Sequence, residues 1–366
     1  MEFKFRTQLT QEIKSYAAHT PLVPEGTLDC SLGVNPYGYP EAAAEAIRSF
    51  DLHHLMDYPH SRVHYSALVE YWKGLADITE DEIFFSNGSI CGLYCLNNIF
   101  SQAERSEVLG FIPTFTDMVE SARSFGMSYR GVPARLEENC RMDASDLIAA
   151  IRPETAVVYI DRPNNPTGQT MPLADVKAIL EAAKLNSSYV IVDEAYGDFI
   201  PRGESSMVLR ADYENLIVIK TFSKGFGLAN LRGGYIVANA DVCGMLTRTS
   251  NPYIYSDLER AACAAALGCP EHPQAHAADF AAAKAAIAEC SGKRLKLLET
   301  DGRVPIFTLA LDEPGDLQEM LLKHGVLAVS GREFELLDER YVRIRVPTSD
   351  CADRLTAAVA LVEKGE

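Results

Sequence analysis

Lys224 lies in Thr-Phe-Ser-Lys-Gly-Phe-Gly at 221–227, a turn of small and hydroxylated residues. Most lysines are solvated surface charges, but one held in such a turn at a strand end can carry an aldehyde as a Schiff base. Asp193 closes the apolar run Tyr189–Val192 and opens Asp-Glu-Ala-Tyr at 193–196. A carboxylate there either caps a helix or faces a buried cation. Pro-Asn-Asn-Pro-Thr-Gly at 163–168 reads locally as an Asn-Pro turn, and its amides are also hydrogen-bond donors. In Ser-Asn-Gly-Ser-Ile at 86–90, Gly88 permits a sharp turn from strand to helix. The N–H groups of Ser89 and Ile90 then point out of a positive helix end, where a phosphate binds well. A plain glycine–serine cap is the competing reading. The segment is neither a P-loop nor a Gly-x-Gly-x-x-Gly fingerprint. Arg232, eight residues beyond Lys224, adds a cation.

A lysine, an aspartate, an asparagine, a tyrosine and a phosphate cradle on neighbouring strand ends are the set that pyridoxal phosphate requires. The lysine takes the aldehyde. The aspartate keeps the pyridine nitrogen protonated, so that the ring withdraws electrons. Asparagine and tyrosine bond the ring oxygen. Hydroxyls, an arginine and a helix N-terminus hold the phosphate.

The elements that must position these groups alternate along the chain. Strands are expected at Ile83–Ser86, Val108–Phe111, Ala156–Ile160, Val190–Val192, Leu216–Lys220 and Tyr235–Ala238. Helices are expected at Ile90–Phe100, Thr116–Phe125 and Leu173–Leu185, with Pro172 in the first turn of the last. Several strands are apolar on both faces, as in a mostly parallel sheet covered by helices. The pattern is α/β, and open α/β sheets hold ligands at strand ends. Beyond about Tyr255 the character changes. Leu258–Cys290 reads as helical, Pro305–Leu311, Gly325–Val329 and Tyr341–Val346 as strands, and Leu317–His324 and Asp350–Lys364 as helices. The expected organisation is an N-terminal arm, 1–40, belonging to the small domain, a large cofactor domain, 41–255, and a small α+β domain, 256–366.

Composition narrows the classes. The hydrophobic set is 47% and the charged set 23% of the 366 residues, which excludes a disordered chain, a collagen and a coiled coil. Net charge is −17, so nucleic acid is not an expected partner. No run approaches the ~20 apolar residues of a membrane span, and the first residues have no apolar core of a signal peptide. Nine dispersed cysteines without a Cys-x-x-Cys pair suit a reduced, cytoplasmic protein. His60 and His64 have no acidic or cysteine companions, so no metal is expected. The Asn-x-Ser sequons at Asn87 and Asn186 read as chance.

The chain resembles the fold-type I pyridoxal-phosphate aminotransferases of class I/II over nearly its whole length. Within that group it is most similar to the branch of histidinol-phosphate aminotransferases and threonine-phosphate decarboxylases. Leu-Gly-Val-Asn-Pro-Tyr-Gly at 32–38, Asp-Tyr-Pro at 57–59 and Leu-Asp-Glu-Arg-Tyr-Val-Arg-Ile at 337–344 carry this likeness. The resemblance implies Lys224 as the Schiff-base lysine and general base, Asp193 as the pyridine-nitrogen partner, and Asn165 and Tyr196 as ring-oxygen donors. It puts Ser89, Ile90, Thr221, Ser223 and Arg232 around the phosphate, and Phe115 against the ring where tyrosine is usual in this branch. It implies a homodimer in which Tyr58 reaches the neighbouring subunit's cofactor phosphate. Asn35 and Asn165 would lie near the substrate, and Arg343 would bind its acid group. Val329 stands where relatives with phosphorylated substrates often have arginine; Arg332 and Arg62 are alternatives for that charge.

The expected reaction is amino-group transfer between an amino acid, or a similar amine, and a 2-oxo acid. A decarboxylase of the threonine-phosphate type shares every cofactor residue and is the nearest rival, and a histidinol-phosphate aminotransferase is the other alternative. A transcriptional regulator on this fold needs a basic helix-turn-helix ahead of it, for which the region before about residue 28 leaves no room. A Rossmann dehydrogenase needs the absent glycine fingerprint.

Overall fold

The computed structural model describes residues 23–366. Strand β1, Leu28–Asp29, comes first. Seven strands then build the main sheet: β2 Ile83–Asn87, β3 Glu107–Ile112, β4 Ser128–Pro133, β5 Thr155–Asp161, β6 Tyr189–Asp193, β7 Leu216–Thr221 and β8 Gly233–Val237. Their order is β2-β8-β7-β6-β5-β3-β4. Only β8 runs antiparallel to its neighbours, so the other six strands end on the same edge. The register pairs Asn87 with Gly233, Thr221 with Gly234 and Asp161 with Asp193. Alternation sends Val158, Val192 and Val218 into one apolar layer, and Val157, Ile191 and Ile217 into the other. Both faces are buried, which is why these strands read as continuous apolar runs.

The remaining strands are β9 Leu295–Leu297, β10 Ile306–Leu311, β11 Val326–Leu327, β12 Val329–Ser330 and β13 Tyr341–Arg345. An antiparallel sheet, β12-β13-β10-β9, packs on the helices Ala277–Cys290 and Ser349–Lys364 around Phe280, Phe307 and Val359. Strand β1 pairs in parallel with β11, tying the described part of the N-terminal segment to this C-terminal unit. Residues 1–22 of the expected arm lie outside the described residues.

Several expected elements differ. The helical stretch Leu258–Cys290 is two helices, Asp257–Leu267 and Ala277–Cys290, because Gly268, Pro270 and Pro273 interrupt it. The first of these lies beyond the expected division at Tyr255, yet packs on the helices Glu41–Arg48 and Val63–Trp72 and buries Cys263 beside Phe85 of the main sheet's core. The strand expected at Gly325–Val329 is split between β11 and β12, which pair with different partners. Pro172 stands just before the helix Leu173–Leu185, not inside its first turn. Strand β4 was not expected from the sequence: it is a polar edge strand with no fully buried residue.

Candidate active site

Lys224 is fixed by its backbone. After β7, the Thr221 hydroxyl donates to the Gly233 carbonyl at 3.1 Å and accepts from the Ser223 N–H at 3.2 Å. The Lys224 carbonyl accepts from the N–H groups of Gly227 and Asn35, both at 3.1 Å. Gly227 has φ +66°, and a Cβ on it would stand 2.0 Å from the Gly38 carbonyl oxygen, so glycine is required at this close approach. The Asn35 amide donates to the Gly225 carbonyl at 2.9 Å. Asn35 therefore clasps the turn from behind, and the lysine Nζ lies 5.7 Å from the Tyr196 ring centre.

Asp193 ends β6 beside this turn. The Tyr159 hydroxyl and the Ala195 N–H each donate to its carboxylate at 2.9 Å. Burial nevertheless pushes its carboxyl up to about 6, against the opposing effect of those two donors. Asp161, its neighbour on β5, is pushed up to about 7 chiefly by burial. Asp161 organises the next loop: it accepts from the N–H of Asn165 at 2.9 Å, from the N–H of Phe115 at 3.2 Å and from the Asn164 amide at 2.8 Å. This leaves the Asn165 side chain facing away from the turn, where its Oδ1 accepts from Arg343 Nη1 at 3.1 Å. Arg343 is buried on β13 and also donates to the Ser31 carbonyl.

The strand-to-helix turn after β2 opens the helix Gly88–Phe100. Gly88 has φ +73°, and a Cβ there would press on Arg232 Nη2 at 2.8 Å. Gly234 leaves room for the helix start, since a Cβ on it would lie 2.7 Å from the Ser89 nitrogen. Arg232 donates to Ser223 Oγ at 3.3 Å. Helix N–H groups, two hydroxyls and a guanidinium thus converge, the composition of an anion cradle.

Ser89, Ile90, Thr221, Ser223 and Arg232 line one end of a cavity of about 200 Å³, and Phe115, Asn165, Asp193, Tyr196 and Lys224 line the rest. The cavity wall also includes Pro163 and Ala195, from the segments 163–168 and 193–196, and Asp117, Asp161 and Ala229, which stand outside the sequence motifs. Asp161 had a visible signal, a carboxylate closing an apolar strand just as Asp193 does. Tyr159 had none, because an inward tyrosine in a strand reads as core. Asn35 and Arg343 adjoin the cavity through Lys224 and Asn165. Tyr58 is not brought to it: its ring is 77% exposed and rests 4.9 Å from that of Tyr253. His60 is exposed, while His64 is buried among Tyr65, Phe85 and Tyr255, and burial pushes its imidazole down to about 3.

The sequence profile described as "Aminotransferase class I and II" matches residues 27–361. The chain belongs to the class I and II aminotransferases. It is 34% identical over 186 residues to the histidinol-phosphate aminotransferase of Yersinia enterocolitica, a stretch that is 51% of this chain and 48% of that enzyme. The chain thus spans about half the length of the curated relatives it matches. Among solved structures it resembles a histidinol-phosphate aminotransferase from Sinorhizobium meliloti in complex with pyridoxal 5′-phosphate, with a TM-score of 0.78, 21% identity, and 92% and 91% of the two chains covered. It also resembles an L-threonine-O-3-phosphate decarboxylase from Porphyromonas gingivalis, with a TM-score of 0.76, 20% identity, and 92% and 99% covered. These likenesses carry the fold, that of the fold-type I pyridoxal-phosphate enzymes.

Class I and II aminotransferases use pyridoxal 5′-phosphate, and the cavity fits that group. The Tyr196 hydroxyl is buried at its wall with no hydrogen-bond partner among the described residues, a donor awaiting an acceptor. Among the described residues no cluster of three or more metal-ligating side chains occurs, and no helix is long and apolar enough to cross a membrane.

Proposed function

We propose that the chain transfers an amino group between an amino acid and a 2-oxo acid. The observation that carries this reading is the convergence of Lys224, Asp193, Asn165, Tyr196 and the start of the helix Gly88–Phe100 on one cavity. Lys224 would hold the cofactor aldehyde, Asp193 the pyridine nitrogen, and Asn165 and Tyr196 the ring oxygen. Phe115 would stack on the ring, and Ser89, Ile90, Thr221, Ser223 and Arg232 would hold the phosphate. When bound, pyridoxal phosphate supplies an electron sink for the pair released from the substrate's α-carbon. Lys224 would also take the substrate's α-proton as general base. Arg343 would orient the substrate by its acid group, and with it the choice of which α-bond is broken.

The surroundings of Arg343 favour a carboxylate over a phosphate. Its register partner on β12 is Val329, a buried apolar residue. The other candidate cations are engaged: Arg332 pairs with Asp316 and Glu339, and Arg62 with Glu80. One guanidinium suits a singly charged carboxylate. The substrate is therefore a free α-amino acid in preference to histidinol phosphate.

Tyr58 supports a homodimer with shared active sites. It stands with Leu52, Leu55 and Met56 in an exposed apolar stretch, the kind of surface a second subunit covers. The reduced-type cysteine usage supports a cytoplasmic enzyme.

A spectral titration of the purified protein with a panel of amino acids and phosphorylated amines, followed by product analysis, tests the function. A keto acid is the expected product. Release of CO2 in its place would make the enzyme a decarboxylase.

A further inference from the structure

Directly behind the cavity lies a cluster of four buried charges that the reaction does not use: Arg162, Glu194, Lys220 and Asp198. Glu194 is its centre. One carboxylate oxygen accepts from the Ser206 N–H at 2.6 Å and from Arg162 Nη1 at 3.4 Å. The other accepts from Ser205 Oγ at 2.5 Å and from Lys220 Nζ at 3.2 Å. Lys220 Nζ also reaches Asp198 Oδ1 at 3.0 Å.

Each member lies in or next to a turn that carries a cavity residue. Arg162 immediately precedes the loop of Asn165, and its N–H donates to the Asp193 carbonyl at 2.7 Å. Glu194 follows Asp193 and precedes Tyr196. Lys220 leads into the turn of Lys224. Asp198 packs under that turn, where a Cβ on Gly225 would meet its Cβ at 2.7 Å. Two positive and two negative charges make the cluster neutral. Removing four charges from water is costly, and apolar residues of similar volume often fold as well in such places. A stability role is therefore a poor account of it.

We propose that Glu194 is a positioning residue that, through its pairing with Lys220 and Arg162, locks the three cofactor turns together and sets the electrostatic field at Asp193. This rests on the pyridoxal-phosphate reading above. The surroundings are consistent. Burial acts to raise the Glu194 carboxyl, but Lys220 and Arg162 outweigh it and hold it below its ordinary value. Glu194 in turn acts to raise Asp193, after burial as the main cause. The other ionisable groups facing the cluster are Tyr71, near Lys220 and Asp198, Tyr235, near Asp198 and Glu194, Arg202, whose guanidinium lies 4.5 Å from the Tyr71 ring centre, and the half-buried pair Glu204–Arg303 beyond Arg162. Trp72 lies over Lys220, with Nζ 5.5 Å from its ring centre.

The test uses the full-length protein loaded with pyridoxal phosphate and reads the pH midpoint of its visible absorption band. Glu194→Gln leaves the cluster with excess positive charge, which disfavours a protonated cation at Lys224, and should move the midpoint down by up to about one pH unit. Lys220→Met leaves excess negative charge and should move it up by a similar amount. The double variant is neutral again and should return near the wild-type midpoint. Glu194→Gln should also weaken cofactor binding to the apoprotein about tenfold, as the charge-assisted bonds that hold the three turns together become neutral ones. Shifts of the same sign in both single variants, or none, would overturn the proposal. If Glu194→Gln does not fold, the direction of the Lys220→Met shift decides alone. A wild-type protein that binds no cofactor and shows no such band would instead overturn the reading on which the proposal rests.

Discussion

An ideal Cβ placed on Gly33 would stand 1.8 Å from the hydroxyl of Tyr196. The glycine of the N-terminal segment is thus the seat against which the tyrosine ring is held in the cavity wall. Gly33→Ala forces that ring to move. The expected result is a loss of about 1–3 kcal/mol in unfolding stability, as for overpacking in a dense site, with weaker cofactor binding. Thermal melts and an absorbance titration of the apoprotein check it, and unchanged affinity would separate Tyr196 from the cofactor.

Lys224→Ala should abolish covalent attachment of pyridoxal phosphate and turnover together. Borohydride reduction of the wild-type protein followed by peptide mapping should tag Lys224. A tag on another lysine would show that the nucleophile has been misassigned.

Asp193 gives a pH dependence with a definite sign. Its folded carboxyl is raised to about 6 and that of Asp161 to about 7. A carboxyl raised on folding stabilises fully below its unfolded value, near 4, and the contribution is lost as pH rises through the folded value. The contribution of these two carboxyls to apoprotein stability should therefore be lost between about pH 4 and pH 7, read as the difference in unfolding stability between the wild type and Asp193→Asn. Cofactor binding needs the charged form of Asp193, so affinity should fall as pH drops through about 6. Asp193→Asn should flatten that dependence and leave little turnover. Near-normal turnover in Asp193→Ala would remove this residue from the mechanism.

Tyr58 tests the shared site. Tyr58→Phe and Lys224→Ala proteins are mixed and allowed to exchange subunits. Each mixed dimer then has one site with both changes and one with neither. Activity should rise above that of either parent. No rise after verified exchange would mean that each chain builds its own site.

Arg343→Lys should lower kcat/KM for the preferred amino acid by about tenfold to a few hundredfold, since one charged hydrogen bond is worth roughly 1.5–3 kcal/mol. Lysine cannot reproduce the two-pronged grip of a guanidinium. If histidinol phosphate proves the best substrate by a wide margin, the inference drawn from Val329 is wrong.

The sequence by itself pointed to ten of the residues that line the cavity, but not to Asp117, Asp161 or Ala229. Their signals are local: Gly88 is needed where the backbone turns from strand to helix, Asp193 closes an apolar strand, and Lys224 sits among small residues. The alternation of strands and helices was equally legible, since strands buried on both faces are continuous apolar runs. The polar edge strand β4 was not, because an edge strand with one open side carries no burial pattern to read. Only the tertiary structure decided what supports the site. Arg343 meets the Asn165 side chain from 178 residues away, and the Asn35 amide clasps the Lys224 turn from 190 residues away from Gly225. The seat of Tyr196 on Gly33 and the buried cluster around Glu194 are of the same kind. Such pairings depend on strand order and on how the N-terminal segment crosses to β11, and the free energies that select them are summed over the whole core. No short stretch of sequence holds that information.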